Sequence, residues 1–156
     1  MSLKIVLGVG NPLGGDDAVG SYVARRLNEK LKEKPVPHEV IAIDAGPAPE
    51  NYTSVIRQKQ PEQLILVDAA DMGLHPGSIR ILPQDKIATL SFSTHSMPLS
   101  VFISYVRGLC GQVYIIGIQP ERTAIEDKLS DIVRKSGERV ADLILDERLN
   151  EIRTLE

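Results

Sequence analysis

The chain has 156 residues, 42% hydrophobic and 25% charged, with a net charge of −3. That length fits one domain, residues 1–156, able to bury about 68–70% of its unfolded surface without disulfide staples. The balance excludes whole-chain disorder, and the acidic charge argues against a nucleic-acid partner. A single cysteine, Cys110, excludes an internal disulfide framework and any multi-cysteine zinc site. No apolar stretch approaches the roughly 20 residues of a membrane span, and Ile5-Val6-Leu7 is too short for a secretory core. A cytoplasmic, stand-alone monomer is the expectation.

In chain order, Leu3 to Val9 is a short, nearly continuous apolar run, the mark of a strand covered on both faces. Val19, Val23, Leu27 and Leu31 then stand four apart, a helical stripe that Pro35 stops. Glu39 to Ile43 is a second strand, and Tyr52, Val55 and Ile56 mark a short helix. Leu64 to Val67 is a third strand. Ser78 to Leu82 alternates after the turn His75-Pro76-Gly77, as an edge strand, possibly antiparallel, would. Leu99, Phe102, Ile103, Val106 and Cys110 follow helical spacing behind Pro98, a first-turn proline. Val113 to Ile118 is the last strand. Thr123 and Glu126 form a capping-box pair for a final helix, whose buried face is expected at Ile125, Leu129, Ile132, Val133, Val140, Leu143 and Ile144. Strand alternating with helix predicts an α/β fold: a three-layer αβα sandwich around a mostly parallel five-stranded sheet.

Ligands of such sheets bind beyond the carboxyl ends of the strands. The first strand is followed by Gly10-Asn11-Pro12-Leu13-Gly14-Gly15-Asp16-Asp17, the second by Asp44-Ala45-Gly46, and the third by Asp68-Ala69-Ala70-Asp71. Ser93-Thr94-His95-Ser96 precedes the Pro98-led helix. A dinucleotide site is disfavoured: Leu13 replaces the third glycine of the fingerprint, and two carboxylates would meet a pyrophosphate at the helix start. Asp16 fits a helix N-cap, which leaves Asp17 as the functional member of the pair. Asp44 and Asp71 fit turn formers. A helix N-terminus facing His95 disfavours its protonation and keeps the metal-binding form. His38 and His75 fit loop positions beside prolines; Cys110, Tyr22 and Tyr52 fit packing positions. Two carboxylates and an imidazole, Asp17, Asp68 and His95, make an O,O,N donor set suited to a borderline divalent ion such as Ni²⁺, Mn²⁺, Fe²⁺ or Zn²⁺.

These segments resemble the hydrogenase maturation endopeptidases. Gly8-Val9-Gly10-Asn11-Pro12-Leu13-Gly14-Gly15-Asp16-Asp17 is similar to the family's opening motif, Leu66-Val67-Asp68-Ala69-Ala70-Asp71 to its second, and Thr94-His95-Ser96-Met97-Pro98-Leu99 to its histidine motif. With Asp44-Ala45-Gly46-Pro47-Ala48-Pro49-Glu50-Asn51, Asp71-Met72-Gly73-Leu74-His75-Pro76-Gly77 and Gly117-Ile118-Gln119-Pro120, the likeness is greatest to the branch serving hydrogenase 3. The resemblance implies removal of a short C-terminal peptide from the large-subunit precursor of a [NiFe] hydrogenase. It implies nickel brought by that precursor, no organic cofactor, and Asp17, Asp68 and His95 as catalytic metal contacts. After Pro120 the chain departs from that branch: Glu121-Arg122-Thr123 runs quickly toward the last helix, where relatives carry a longer, more aromatic loop. Two other classes fit part of the pattern: a nickel-binding chaperone using the same ligands without cutting, and a small-molecule enzyme or binding module on a nucleotide-type fold.

Overall fold

A computed structural model of the chain describes residues 2–92, 97–121 and 128–156. The strands are β1 (Leu3–Val9), β2 (Glu39–Gly46), β3 (Gln63–Asp71), β4 (Ile79–Ile81), β5 (Ser91–Phe92) and β6 (Gln112–Ile118). The helices are α1 (Val19–Glu33), α2 (Thr53–Lys59), α3 (Gln84–Ile87), α4 (Leu99–Val106) and α5 (Asp131–Leu145). The main sheet runs β2-β1-β3-β6-β4. Its first four strands are parallel and β4 is the antiparallel edge. The two-residue β5 pairs antiparallel with the end of β3. The expected αβα sandwich is therefore present, with a small sixth strand added at the site edge.

Alternation along the central strands divides their side chains between two cores. Ile5, Leu7, Leu64 and Leu66 point to the face covered by α2 and α4, where Ile56, Phe102 and Ile103 are buried. Val6, Ile65, Val67 and Ile116 point to the opposite face, against Val19, Val23 and Leu27 of α1 and Val140, Leu143 and Ile144 of α5. Each fully buried aliphatic side chain contributes roughly 1.5–3 kcal/mol relative to exposure.

Glycine permits the closest approaches. A Cβ on Gly20 of α1 would stand 2.2 Å from the carbonyl oxygens of both Val9 and Val67, and one on Gly8 would stand 2.0 Å from the Gly20 carbonyl oxygen. The first turn of α1 thus rests directly on the backbones of β1 and β3. On the outer side, Gly137 of α5 lets Tyr22 of α1 come near, and the Tyr22 hydroxyl donates to Glu138 at 2.6 Å. Glu138 also accepts from Arg26 at 2.5 Å and lies 3.3 Å from Lys30, which reaches Asp142 at 3.1 Å.

Several elements differ from the sequence reading. β3 continues through Asp71 because Asp68 and Ala69 pair with β6, and Ala70 and Asp71 with β5. α4 ends at Val106 and passes into a 3-10 turn, Arg107–Leu109. Cys110 lies beyond both, half-buried against the α2/α4 core, and its Sγ reaches the Val106 carbonyl at 3.3 Å. α5 begins only at Asp131, because Ser130 is extended with ψ 153°. Leu129 therefore packs on the core from outside the helix. Ile132, expected inside, is 44% exposed: the buried stripe of α5 runs through Val133, Gly137 and Val140 instead. The Thr123–Glu126 capping pair and Ile125 lie outside the described residues. Among the described residues, no helix is long and apolar enough to cross a membrane.

Candidate functional site at the strand ends

The chain passes from β1 through α1 to β2 on one side of β1, then returns through α2 to β3 on its other side. The crevice between the carboxyl ends of β1 and β3 is thus the topological switch point, where open α/β sheets hold their ligands. Both candidate acids lie on these two strands or their immediate continuation.

Leaving β1, the chain makes a compact loop. Gly10 donates its amide to the Gly46 carbonyl at 2.9 Å, joining the ends of β1 and β2. The Asn11 side chain accepts from the Leu13 amide at 3.0 Å, and its carbonyl accepts from Gly14 at 3.0 Å. A 3-10 turn, Gly15–Ala18, then leads into α1 and packs against β3. Asp17 sits in this turn, half-buried, with its amide donating to the Gly14 carbonyl at 3.1 Å. Space for it comes from glycine again, since a Cβ on Gly14 would stand 2.9 Å from the Asp17 Cβ.

Asp68 lies within β3, opposite Gly117 of β6, and is 0% exposed. By alternation it shares the face of Leu64, Leu66 and Ala70. A solvated acid at a strand end is therefore not its role. A carboxylate at that depth is stable only when donors, a countercharge or a metal compensate its lost hydration. His95 lies outside the described residues. The flanking Phe92 pairs with Ala70, two residues beyond Asp68. Among the described residues, no three His, Cys, Asp or Glu side chains form a metal cluster. The structure thus brings the Asp17 turn against the Asp68 strand, and it leaves the nitrogen donor of the expected set undescribed.

The other acids separate clearly. Asp44 is exposed and accepts from the Gly46 amide at 3.2 Å, as a turn former does. Asp71 is exposed and accepts from Gly73 at 3.2 Å and from the Gln119 side chain at 3.2 Å. Asp16 is not the N-cap expected from sequence. Neither the 3-10 turn nor α1 has a side-chain cap, and the 1%-exposed Asp16 carboxylate instead accepts from Glu121 and Ser130. Gln119 went unassigned as a functional residue in the sequence. It is 7% exposed, and its Oε1 accepts from Met72 at 2.7 Å and Leu74 at 3.3 Å, clasping the loop after β3 to the end of β6. Its place just past a buried strand was the available signal. His75 is exposed and His38 half-buried with Nδ1 3.6 Å from Glu147, so both remain outside the site.

Beside the crevice, α2 and α4 flank a cleft of about 340 Å³, lined by Glu50, Thr53, Arg57, Met97, Val101 and Tyr105. Val101 and Tyr105 are exposed there, and the Arg57 guanidinium lies 5.9 Å from the Tyr105 ring centre.

An α/β sheet with acids gathered at its switch point defines a broad class of ligand-binding and hydrolytic domains. Comparison with known proteins narrows it. Residues 21–147 match the sequence pattern of the hydrogenase maturation protease family, and this chain belongs to that family. It is 43% identical over 118 residues to the hydrogenase 3 maturation protease of Escherichia coli K12, covering 75% of this chain and 72% of that protein. The solution structure of the endopeptidase HycI from Escherichia coli superposes with TM-score 0.84 at 36% identity, covering 100% of this chain and 97% of that one. The [NiFe] hydrogenase maturation protease HycI from Thermococcus kodakarensis KOD1 gives TM-score 0.80 at 32% identity, covering 94% and 92%.

Proposed function

We propose that this protein is an endopeptidase that removes a short C-terminal peptide from the nickel-loaded large-subunit precursor of a [NiFe] hydrogenase, of the hydrogenase 3 type. The observation that carries the reading is the fully buried Asp68 beside the Asp17 turn at the switch point of a hydrogenase maturation protease fold. The 43%-identical hydrogenase 3 maturation protease supports the choice of precursor.

In this proposal nickel arrives as part of the substrate, held by the precursor, and no organic cofactor takes part. Asp17 and Asp68 offer carboxylate oxygens and His95 an imidazole nitrogen, a donor set matched to a borderline divalent ion. Docking is then a coordination event, so a nickel-free precursor binds weakly and is spared. A metal so placed polarises a scissile carbonyl or acidifies a water, and a carboxylate left off the metal serves as general base. The exposed Leu13 on the β1 loop and Val101 and Tyr105 on α4 offer apolar contact to a folded partner.

The test is the intact mass of a nickel-loaded precursor before and after incubation, with nickel-free precursor and the Asp17→Asn, Asp68→Asn and His95→Ala variants alongside. Loss of one C-terminal peptide only with nickel and the wild-type residues is the expected result. A stable complex with unchanged precursor mass identifies a nickel-binding chaperone instead. Full cleavage by any of the three variants refutes the residue assignment.

A further inference from the structure

Asp16 precedes the proposed metal contact by one residue, yet its bonds lead to the far end of the chain. Its Oδ1 accepts from the Ser130 amide at 2.7 Å, and its Oδ2 from the Glu121 amide at 2.9 Å. The Ser130 hydroxyl lies 3.0 and 2.9 Å from the two oxygens and donates to the pair. Glu121 stands three residues beyond the end of β6, and Ser130 immediately precedes α5. One buried carboxylate therefore fastens both ends of the β6–α5 connection to the turn that follows β1.

Position 16 needs a charge. An amide side chain would offer one acceptor oxygen and turn an NH₂ toward donors, whereas a carboxylate accepts on both sides and strengthens each bond by its charge. Burying that charge is costly unless the bonds are kept. The geometry then passes directly to Asp17. A 3-10 turn has about three residues per turn, so successive side chains diverge by roughly 120°. With Asp16 pinned toward Glu121 and Ser130, the direction of Asp17 is fixed. The main chain of Asp17 is confined on its other sides: its amide bonds Gly14, and a Cβ on Gly10 would stand 2.1 Å from its carbonyl oxygen.

We infer that Asp16 is a positioning residue: through Glu121 and Ser130 it locks the Gly15–Ala18 turn and so aims the Asp17 carboxylate, without itself touching metal or peptide. This rests on the role proposed for Asp17. Asp16→Asn, Ser130→Ala and Ser130→Thr test it, with circular dichroism and urea unfolding as folding controls and Asp17→Asn in parallel. Asp16→Asn is expected to lower kcat on the nickel-loaded precursor roughly 10- to 100-fold, as loss of an orienting partner does. KM should rise at the same time, since docking in this reading runs through the nickel that Asp17 contacts. Ser130→Ala, which keeps its amide donor, should lose less, and Ser130→Thr should restore the rate. In ¹⁵N–¹H spectra the Asp17 and Gly10 amide resonances should move in Asp16→Asn, a readout independent of turnover.

Folded Asp16→Asn with wild-type kcat and unmoved resonances overturns the inference, as does a loss proportional to the unfolded fraction. If Asp16→Asn does not fold, equal rates for Ser130→Ala and Ser130→Thr overturn it. An active Asp17→Asn refutes the site reading instead, and the amide shifts then decide whether Asp16 sets the turn.

Discussion

Replacing Glu138 by glutamine would remove the charge at the centre of the α1–α5 contact while keeping the side chain's size. Burial alone would push this carboxyl up, but hydrogen bonds from Arg26, Tyr22 and Lys30 outweigh it and hold the group at about 2, against an ordinary 4.5. At about 1.4 kcal/mol per unit, that difference corresponds to some 3 kcal/mol at neutral pH. The side chain is 27% exposed, however, and solvent screening reduces the expectation to about 1–2 kcal/mol. The folded-state value is depressed, so the contribution is complete above pH 4.5 and disappears as pH falls toward 2. Urea unfolding of wild type and Glu138→Gln across this range should give a stability gap of about 1–2 kcal/mol at pH 7 that closes on acidification. The matching shift in Tm at pH 7 is about 3–6 °C for a chain of this size. A gap that stays constant from pH 7 to the acid limit, or one below about 0.5 kcal/mol at pH 7, would show that the cluster is only a surface ion pair.

Other perturbations separate steric from conformational demands. Gly20→Ala should abolish stable folding or cost at least about 3 kcal/mol by urea unfolding, because the new methyl meets two backbone oxygens at 2.2 Å. Gly46→Ala should cost only about 1–2 kcal/mol, because its φ of 57° is strained for alanine but the space around it is open. Gln119→Ala leaves the Met72 and Leu74 amides without their acceptor. It should cost about 1–3 kcal/mol and speed hydrogen exchange at those two amides relative to β6. Unchanged exchange there would remove Gln119 from its proposed hold on the loop.

The elements legible in sequence were those with long, unbroken patterns: β1 was bounded correctly at both ends, and the α1 stripe of Val19, Val23 and Leu27 is fully buried. Asp68-Ala69-Ala70-Asp71 looked like a loop because it has two acids and little bulk, yet two neighbouring strands continue its pairing. Local pattern cannot reveal that kind of support. The role of Asp16 is hidden for the same reason. A cap is a local contact, whereas its partners stand 105 and 114 residues away. α3 and β5 are too short to show a period. That Asp17 and Asp68 lie toward the carboxyl ends of buried strands was legible, whereas the pairing of β1 with β3 that brings their segments together was not, because strand order leaves no local mark in the sequence.

The glycine contacts of α1 make the two sides of the sheet mechanically unequal. On one side, the 15-residue α1 is pressed backbone to backbone against the strands through Gly20, and the equally long α5 is tied to it by charge. On the other, helices of 7 and 8 residues leave a cleft between them. Backbone in contact with backbone has no side-chain rotamers through which to yield, so the α1 side acts as an anvil. Any adjustment to an incoming partner falls on α2 and α4, where shifts in Arg57, Val101 and Tyr105 can reshape the surface while the Asp17 turn stays seated on the rigid start of α1.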